Sequence, residues 1–333
     1  MSYVQLSSGK AFEASNDESI LNAAAKSGVF LPYSCKTGRC STCKCKLISG
    51  ETGLLFNEIG LTDADKAEGW ILSCVRTATK DLVLDVQDLG SNVLPLVKTL
   101  ACRINSLEKL THDVIKVTLR LPPSATFHFI PGQYIEVIGP DGERRSYSLA
   151  NSPRADKTLE LHIKAVEGGA MSHYWFDKAS VNDLLRLNGP FGTFFIRNIA
   201  QRELIFLATG TGIAPVKAML EALQTLAADQ MPKSVTVFWG ARHQHELYFD
   251  VSALPGTHLY IPVLSRATEW NGERGYIQSA LLRRKSDLRD CSVYACGSDA
   301  MIQSAKVELT AAGLPSHHFY SDAFVCSGTN ASQ

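Results

Sequence analysis

Cys35, Cys40 and Cys43, with a fourth thiol at Cys74, constrain this chain more than any other feature of its sequence. The spacing is C-x4-C-x2-C, and Cys74 follows 31 positions after Cys43. Three thiolates on one short loop can wrap a metal centre from one side while a rigid strand brings the fourth from elsewhere. This is the spacing that holds a [2Fe–2S] cluster. Gly38 falls inside the loop and relieves crowding where backbone N–H groups turn toward the sulfurs. Zinc also takes four ligands, but as close pairs, and Cys74 has no close partner in sequence. Inert buried cysteines account poorly for three thiols in a nine-residue polar loop, and Cys45 lies outside the spacing as a non-ligand. With nine cysteines in all, an odd number, so dense a thiol cluster fits a reducing compartment better than a disulfide framework.

Around that loop the chain has three textures. Residues 1–92 open with strand-like alternation at Val4 and Leu6, pass through a helical stretch at 19–27, and return to strand at 71–74 and 82–86. This first third resembles a plant-type ferredoxin, which implies a β-grasp domain. Residues 93–100, with Pro95, read as a linker. Residues 101–199 carry short alternating strands such as 115–121 and 159–164, divided by turn signals at Pro131-Gly132, Pro140-Asp141-Gly142 and Asn188-Gly189-Pro190. That pattern predicts an antiparallel β-barrel. From 200 to 333, apolar runs at 204–208, 235–239 and 293–297 alternate with helical pattern, as through Leu226, which implies a doubly wound parallel sheet. The expected class is therefore a multidomain chain, α+β followed by α/β. Residues 327–333 are small and polar and read as a frayed tail.

The stretch Arg144-Arg145-Ser146-Tyr147-Ser148 holds R-x-Y-S at the end of an apparent strand. Alternate strand residues share a face, so Arg145 and Tyr147 point the same way. The guanidinium can pair with a phosphate, the phenol can stack on an isoalloxazine ring, and the Ser148 hydroxyl can hydrogen-bond a flavin edge near N5. Four residues alone fit an ordinary strand edge equally well. Two neighbours favour the flavin: Gly132-Gln133-Tyr134, expected as a parallel strand alongside, and Gly168-Gly169-Ala170-Met171-Ser172 ahead of a helical stretch at 173–178. Gly168 and Gly169 at a helix N-terminus, with the Ser172 hydroxyl, would receive a pyrophosphate. A plain turn is the simpler account of the glycine pair.

Thr209-Gly210-Thr211-Gly212-Ile213-Ala214-Pro215 follows an apolar run and opens a helix. It departs from G-x-G-x-x-G, because Pro215 stands where the third glycine would. Gly210 and Gly212, flanking Thr211, still allow the backbone to approach a pyrophosphate, and Pro215 suits a first helical turn. Gly297 would end a second strand at the same sheet edge, where ligands bind. Read without family context, Cys296 is a small buried strand residue.

In this order the motifs resemble the ferredoxin-bearing members of the ferredoxin–NADP⁺ reductase superfamily, over essentially the whole chain. The resemblance is carried also by 144–151 (RRSYSLAN), 189–195 (GPFGTFF), 293–298 (VYACGS) and 319–325 (FYSDAFV). It implies FAD rather than FMN, and a nicotinamide bracketed by the Gly210–Pro215 turn and Cys296-Gly297. It also sets an aromatic, Phe324, over the flavin face, with Asp322 as a nearby carboxylate. Ser148, Cys296 and Phe324 are then the candidates at the reacting atoms. The donor implied is NADH, with NADPH open. Ser265, Arg266, Arg274 and Tyr276 could take a 2′-phosphate after the second strand of the nucleotide domain, or Arg242 could serve the adenosine side.

A nicotinamide nucleotide gives two electrons as hydride and a [2Fe–2S] cluster carries one, so one chain holding all three sites converts between them. Electrons would pass from NADH to FAD, to the cluster, and to a transiently bound partner enzyme. That partner is a dehydratase of 3,6-dideoxysugar synthesis or an oxygenase of the aromatic-ring dioxygenase or monooxygenase kind. A non-catalytic ferredoxin-like carrier is the reading from another class, and it would need neither R-x-Y-S nor the glycine turn. Lys36, Arg39, Lys44 and Lys46 around the cluster loop could form a docking rim for an acidic partner, or simply solvate a segment with nine basic and eleven acidic residues over 1–93. Lys+Arg and Asp+Glu both number 33, so no long-range basic field favours nucleic acid or anionic membrane. There is no apolar run of about 18 residues, and Met1-Ser2-Tyr3-Val4-Gln5 lacks the plan of a secretory signal. The expectation is a cytoplasmic enzyme.

Overall fold

The computed structural model describes residues 1–90, 94–197 and 199–324, so the tail expected at 327–333 lies outside the described residues. The chain forms two compact units: Met1–Leu94 together with the segment from Asp322, and Pro95–Ser321.

In the first unit β1 (Ser2–Leu6) and β2 (Ala11–Ala14) form an antiparallel hairpin. Val4 and Leu6 point into the core while Tyr3 and Gln5 point out, as the alternation requires. α1 (Ile20–Lys26) starts at Ser19, whose hydroxyl accepts from the Asn22 N–H at 3.2 Å, and buries Ile20, Leu21, Ala23 and Ala24. There follow β3 (Lys44–Ser49), β4 (Thr52–Leu54), α2 (Asp63–Ala67) behind a Thr62/Asp65 capping box, β5 (Trp70–Leu72), β6 (Arg76–Ala78) and β7 (Leu82–Asp85). The main sheet runs β2-β1-β7-β3-β5, with β1 and β7 parallel, and β4 pairs with β6 in a separate ribbon. The strand expected over 71–74 stops at Leu72, so Cys74 sits on the turn between β5 and β6 rather than on a strand.

The second unit begins with β8 (Lys98–Lys109), whose first residues fall inside the stretch read as linker because they pair with β13 (Leu184–Phe191). Between these lie β9 (Val114–Arg120), β10 (Tyr134–Ile138), β11 (Arg144–Ser148), β12 (Thr158–Lys164) and α3 (Ala170–His173). The order is β11-β10-β13-β8-β9-β12, and a Leu149–Leu161 bridge joins the two edges into a barrel. Leu119, Ile135, Leu161, Leu187 and Trp175 fill it. β10 runs antiparallel to β11, not parallel as expected, because only residues 139–143 connect them and so short a connection reverses the chain. The helix expected at 173–178 is α3 continuing into a π-turn over Tyr174–Lys178.

The same unit continues with β14 (Glu203–Thr209), a 3₁₀ turn over Gly210–Gly212, α4 (Ile213–Leu223), β15 (Ser234–Ala241), β16 (Leu259–Leu264), β17 (Glu273–Arg274), α5 (Ile277–Arg284), β18 (Cys291–Gly297) and α6 (Asp299–Ala311), and β19 (Phe319–Ala323) ends the sheet. The order is β17-β16-β15-β14-β18-β19, with β14 parallel to both β15 and β18. The chain therefore reverses its direction of travel across the sheet between β14 and β18, which sets the ligand crevice at their carboxyl ends. Among the described residues no helix is long and apolar enough to cross a membrane.

Candidate functional site

In the first unit the loop after α1 brings four thiols into two pairs. Cys43 Sγ lies 3.2 Å from Cys74 Sγ, and the Cys35 N–H donates to Cys40 Sγ at 3.4 Å. Cys40, Cys43 and Cys74 are buried and Cys35 is partly so. The Cys40 thiol, donating to Cys35, pulls that group down to about 5 against its burial, helped by Thr37, whose N–H lies 3.4 Å from Cys35 Sγ. Cys40 moves up correspondingly, from the same bond and from burial. Cys74 is lowered and Cys43 raised in the same way. Among the described residues no three His, Cys, Asp or Glu converge as a single ion would need. Two sulfur pairs suit a two-iron cluster, each iron taking one pair, so the donor set fits the group that the spacing predicts.

The loop is shaped by its neighbours. Gly38 has φ +72°, and a Cβ there would stand 2.4 Å from the Asn57 carbonyl oxygen. Gly60 donates to the Gly38 carbonyl at 2.8 Å. Glu58, a residue no motif singled out, is buried and accepts from Arg76 Nε at 2.9 Å, Arg76 Nη2 at 2.6 Å and the Leu72 N–H at 2.9 Å, clamping both flanks of Cys74. Cys45 faces the core from β3, where burial pushes its thiol up to about 12. Of the rim cations, Lys44 is bound to Asp65 and lies over the Trp70 ring, which Lys46 also approaches, while Lys36 lies over Tyr33. Asp322 groups with this unit. It accepts from the Ser34 hydroxyl, and burial raises its carboxyl to about 6. Phe324 follows on the same segment with 37% of its surface exposed.

On the barrel, Ser148 lies opposite Tyr134 and Tyr147 opposite Ile135. The Tyr147 hydroxyl accepts from Trp175 Nε1 at 3.0 Å, and burial lifts it to about 12. Arg145 Nη1 donates to the Arg144 carbonyl at 2.7 Å. Gln133 is buried and fixes the start of β10, its amide donating to the Gly192 carbonyl at 3.0 Å and its carbonyl accepting from the Ile130 N–H at 2.8 Å. Gly168 has φ +69°, Gly169 is the N-cap of α3 without a side-chain bond, and Ser172 Oγ accepts from the Val166 N–H at 2.9 Å. A turn open at Gly168 and a planar ring held at the strand end fit a flavin diphosphate.

At the parallel sheet's crevice the two glycine turns touch. A Cβ on Gly212 would meet the Cys296 carbonyl oxygen at 2.3 Å, and one on Gly297 would meet Thr209 Oγ1 at 2.2 Å. The Ser298 N–H donates to Thr209 Oγ1 at 3.2 Å, and Trp239 Nε1 donates to the Gly210 carbonyl at 3.0 Å. Thr211 lies between these glycines, and Pro215 is buried in the first turn of α4. Cys296 has no exposed surface and packs in the core cluster of the sheet, and it is its carbonyl that lies against the Gly212 turn. Ser265 and Arg266 follow β16, the third strand of the sheet, not the second as expected. Their N–H groups donate to the carbonyls of Ala241 and Arg242 at 2.9 and 3.0 Å, which brings the loops after β15 and β16 together. A cavity of about 340 Å³ at the barrel loops 121–129 and 153–159 contains none of the predicted residues.

A buried polar set between β12 and α4 escaped the sequence altogether. Lys217 Nζ donates to Glu221 Oε1 at 2.6 Å, to the Ala150 carbonyl at 3.1 Å, and lies 3.2 Å from Glu160 Oε1. His162 Nε2 is 2.9 Å from the same Glu160 oxygen, and its Nδ1 is 3.1 Å from the Tyr248 hydroxyl. Arg154 reaches Glu160 and Glu221 at 3.4 and 3.3 Å. Glu160 falls to about 2 because His162 and Lys217 outweigh its burial, while burial lowers His162 and holds it neutral.

Three family models match the chain in order: the 2Fe-2S iron-sulfur cluster binding domain over residues 4–79, the oxidoreductase FAD-binding domain over 101–196 and the oxidoreductase NAD-binding domain over 206–307. The CDP-6-deoxy-L-threo-D-glycero-4-hexulose-3-dehydrase reductase of Yersinia pestis is 40% identical over 326 residues, 96% of this chain and 97% of its own. The xylene/toluene monooxygenase electron transfer component XylA of Pseudomonas putida is 30% identical over 95% of this chain and 91% of its own. Among solved structures, the Amycolatopsis cytochrome P450 reductase GcoB superposes with a TM-score of 0.73 at 26% identity, covering 97% of this chain and 99% of its own. A bare ferredoxin-like carrier would need neither of the two nucleotide-binding domains.

Proposed function

This chain belongs to the ferredoxin-bearing reductases of the ferredoxin–NADP⁺ reductase superfamily, and from that membership we propose that it passes electrons from NADH through FAD and a [2Fe–2S] cluster to a dehydratase, as a CDP-6-deoxy-Δ3,4-glucoseen reductase of 3,6-dideoxysugar synthesis. The pairing of the four sulfurs, Cys35 with Cys40 and Cys43 with Cys74, carries the electron-transfer reading, because it would supply two ligands to each iron of such a cluster. The 40% identity to the Yersinia pestis dehydrase reductase supports the dideoxysugar branch. The 30% identity to XylA keeps an oxygenase as the second acceptor.

When bound, the flavin accepts two electrons as hydride and releases them singly, and the cluster carries one at a time. Arg145, with Gly168, Gly169 and the Ser172 hydroxyl, would neutralise and hold the FAD diphosphate. Tyr147, fixed by Trp175, would pack on the ring system, and Ser148 would donate to its reactive edge. Gly210, Thr211 and Gly212 would receive the nucleotide pyrophosphate, with Pro215 opening α4 and the Cys296–Gly297 backbone flanking the nicotinamide. Phe324 would cover the flavin face until nucleotide arrives. On this reading 1–92 is the ferredoxin domain, 93–100 the linker, 101–199 the FAD domain and 200–333 the nucleotide domain. Partner binding is transient, because a carrier that turns over must dissociate, and the enzyme works in the cytoplasm.

The test is an absorbance spectrum of the anaerobically purified protein titrated with NADH and then NADPH. Flavin bands and a cluster shoulder, bleached by NADH at much the lower concentration, are expected. Cluster absorbance without flavin, indifferent to both nucleotides, would overturn the reading.

A further inference from the structure

The buried polar set between β12 and α4 touches both halves of the machinery for hydride delivery without belonging to either. On one side Lys217 holds the Ala150 carbonyl, two residues beyond Ser148. That segment is fixed further by the Ala150 N–H donating to the Glu160 carbonyl at 2.8 Å, and by the Ser152 N–H donating to Glu221 Oε2 at 2.9 Å. On the other side, Lys217 is the fifth residue of α4, whose N-terminal turn is Gly210–Gly212. A second link runs from Glu160 through His162 to Tyr248, whose ring packs edge-on to Trp239 at 5.1 Å, and Trp239 donates to the Gly210 carbonyl.

The set is densely bonded. Lys217 donates to Ala150 and Glu221 and forms an ion pair with Glu160 at 3.2 Å. A neutral His162 donates from Nε2 to Glu160, which leaves Nδ1 to accept the Tyr248 proton. Glu160 and Glu221 are balanced by Lys217 and Arg154. Charge-assisted bonds fix distance and direction, which an apolar contact that can slide does not.

We propose that Lys217 is a positioning residue for hydride transfer, registering the segment that follows the flavin strand against the helix whose first turn receives the nucleotide. The inference rests on the reductase reading above. Two electrons and one proton leave the dihydronicotinamide ring together and arrive on the bound flavin, while the buried set gains and loses nothing. Its role is to hold donor and acceptor at the reacting distance, where a displacement of about 1 Å costs about a hundredfold in rate.

The test compares the flavin-loaded full chain with Lys217→Met, Lys217→Arg and Tyr248→Phe, following flavin bleaching by saturating NADH in a stopped-flow instrument. Lys217→Met is expected to slow bleaching about tenfold or more, with flavin content and reduction by dithionite unchanged, and Lys217→Arg to restore part of the rate. A Lys217→Met protein that bleaches at the wild-type rate, losing only thermal stability, would overturn the proposal. If that variant does not fold, Tyr248→Phe decides. It keeps the ring against Trp239 and loses only the bond to His162, so a smaller slowing supports the positioning role and a wild-type rate overturns it. Wild-type flavin untouched by NADH or NADPH would instead sink the reductase reading, and this inference with it.

Discussion

At Gly38 the requirement is steric and conformational together: φ +72° and a Cβ position 2.4 Å from the Asn57 oxygen. Gly38→Ala must push the 57–60 segment away or open the thiol loop, so most of the cluster absorbance should be lost while the flavin bands stay, their residues lying in the other unit. Equal cluster content in the variant and the wild type would show that the contact relaxes easily. The convergence of Cys35, Cys40, Cys43 and Cys74, and the need for Gly38, were legible because such a thiol cluster needs particular atoms at particular intervals and a tight loop needs a residue without Cβ. Glu58 and Arg76 were not. A carboxylate and a guanidinium 18 positions apart carry no signal until the fold brings them to 2.6 Å. Cys296 is a different case: its residue type drew attention to the thiol, which lies in the core, while its carbonyl packs against the Gly212 turn.

The elements teach the same lesson in another form. β12 alternates cleanly, and its apolar face, Leu159, Leu161 and Ile163, enters the barrel core as the pattern predicts. The other face carries Glu160 and His162 and looks solvent-directed in sequence, yet both are buried. Lys217 and Glu221 on α4 likewise look like an ordinary exposed i,i+4 pair. A polar face covered by a matching polar face leaves no trace in hydropathy. It does leave one in pH. His162 faces Glu160, Lys217 and Tyr248, with Lys116 also acting on it, and burial holds it below its ordinary value of about 6.5. The unfolded chain therefore takes up a proton that the folded chain refuses, and stability falls as pH drops from about 7 toward 5. Glu160, held at about 2, adds a second loss as its unfolded carboxyl protonates below about 4.3. The temperature of flavin release should accordingly fall between pH 7.5 and 5.5, and His162→Gln should flatten part of that slope. A parallel slope in the variant would show that other groups are responsible.

For the whole molecule, the order of the three motifs gave the order of the three sheets, since each motif belongs to one kind of strand–turn–helix setting. How the sheets group was not legible. The barrel and the parallel sheet share the unit Pro95–Ser321, and the segment from Asp322 groups with Met1–Leu94. Both facts depend on packing between segments far apart in sequence. A division of labour between the units has a direct test in Cys40→Ser. NADH should still bleach the flavin at close to the wild-type rate, while reduction of cytochrome c through the cluster should drop to background. Loss of both together would mean that the thiol loop also supports the flavin side.

The enclosed trio of Glu160, Lys217 and Glu221, with the exposed Arg154 only at its edge, has a consequence for descent. Deleting one member of a buried ion set costs about 3–5 kcal/mol, whereas exchanging the whole set for well-packed apolar residues is often neutral or better. Single steps away from the trio are therefore closed and the simultaneous step is open but rare. Lineages should inherit these three positions as one character, kept whole or replaced whole, even where the ferredoxin surface drifts freely to suit a new acceptor.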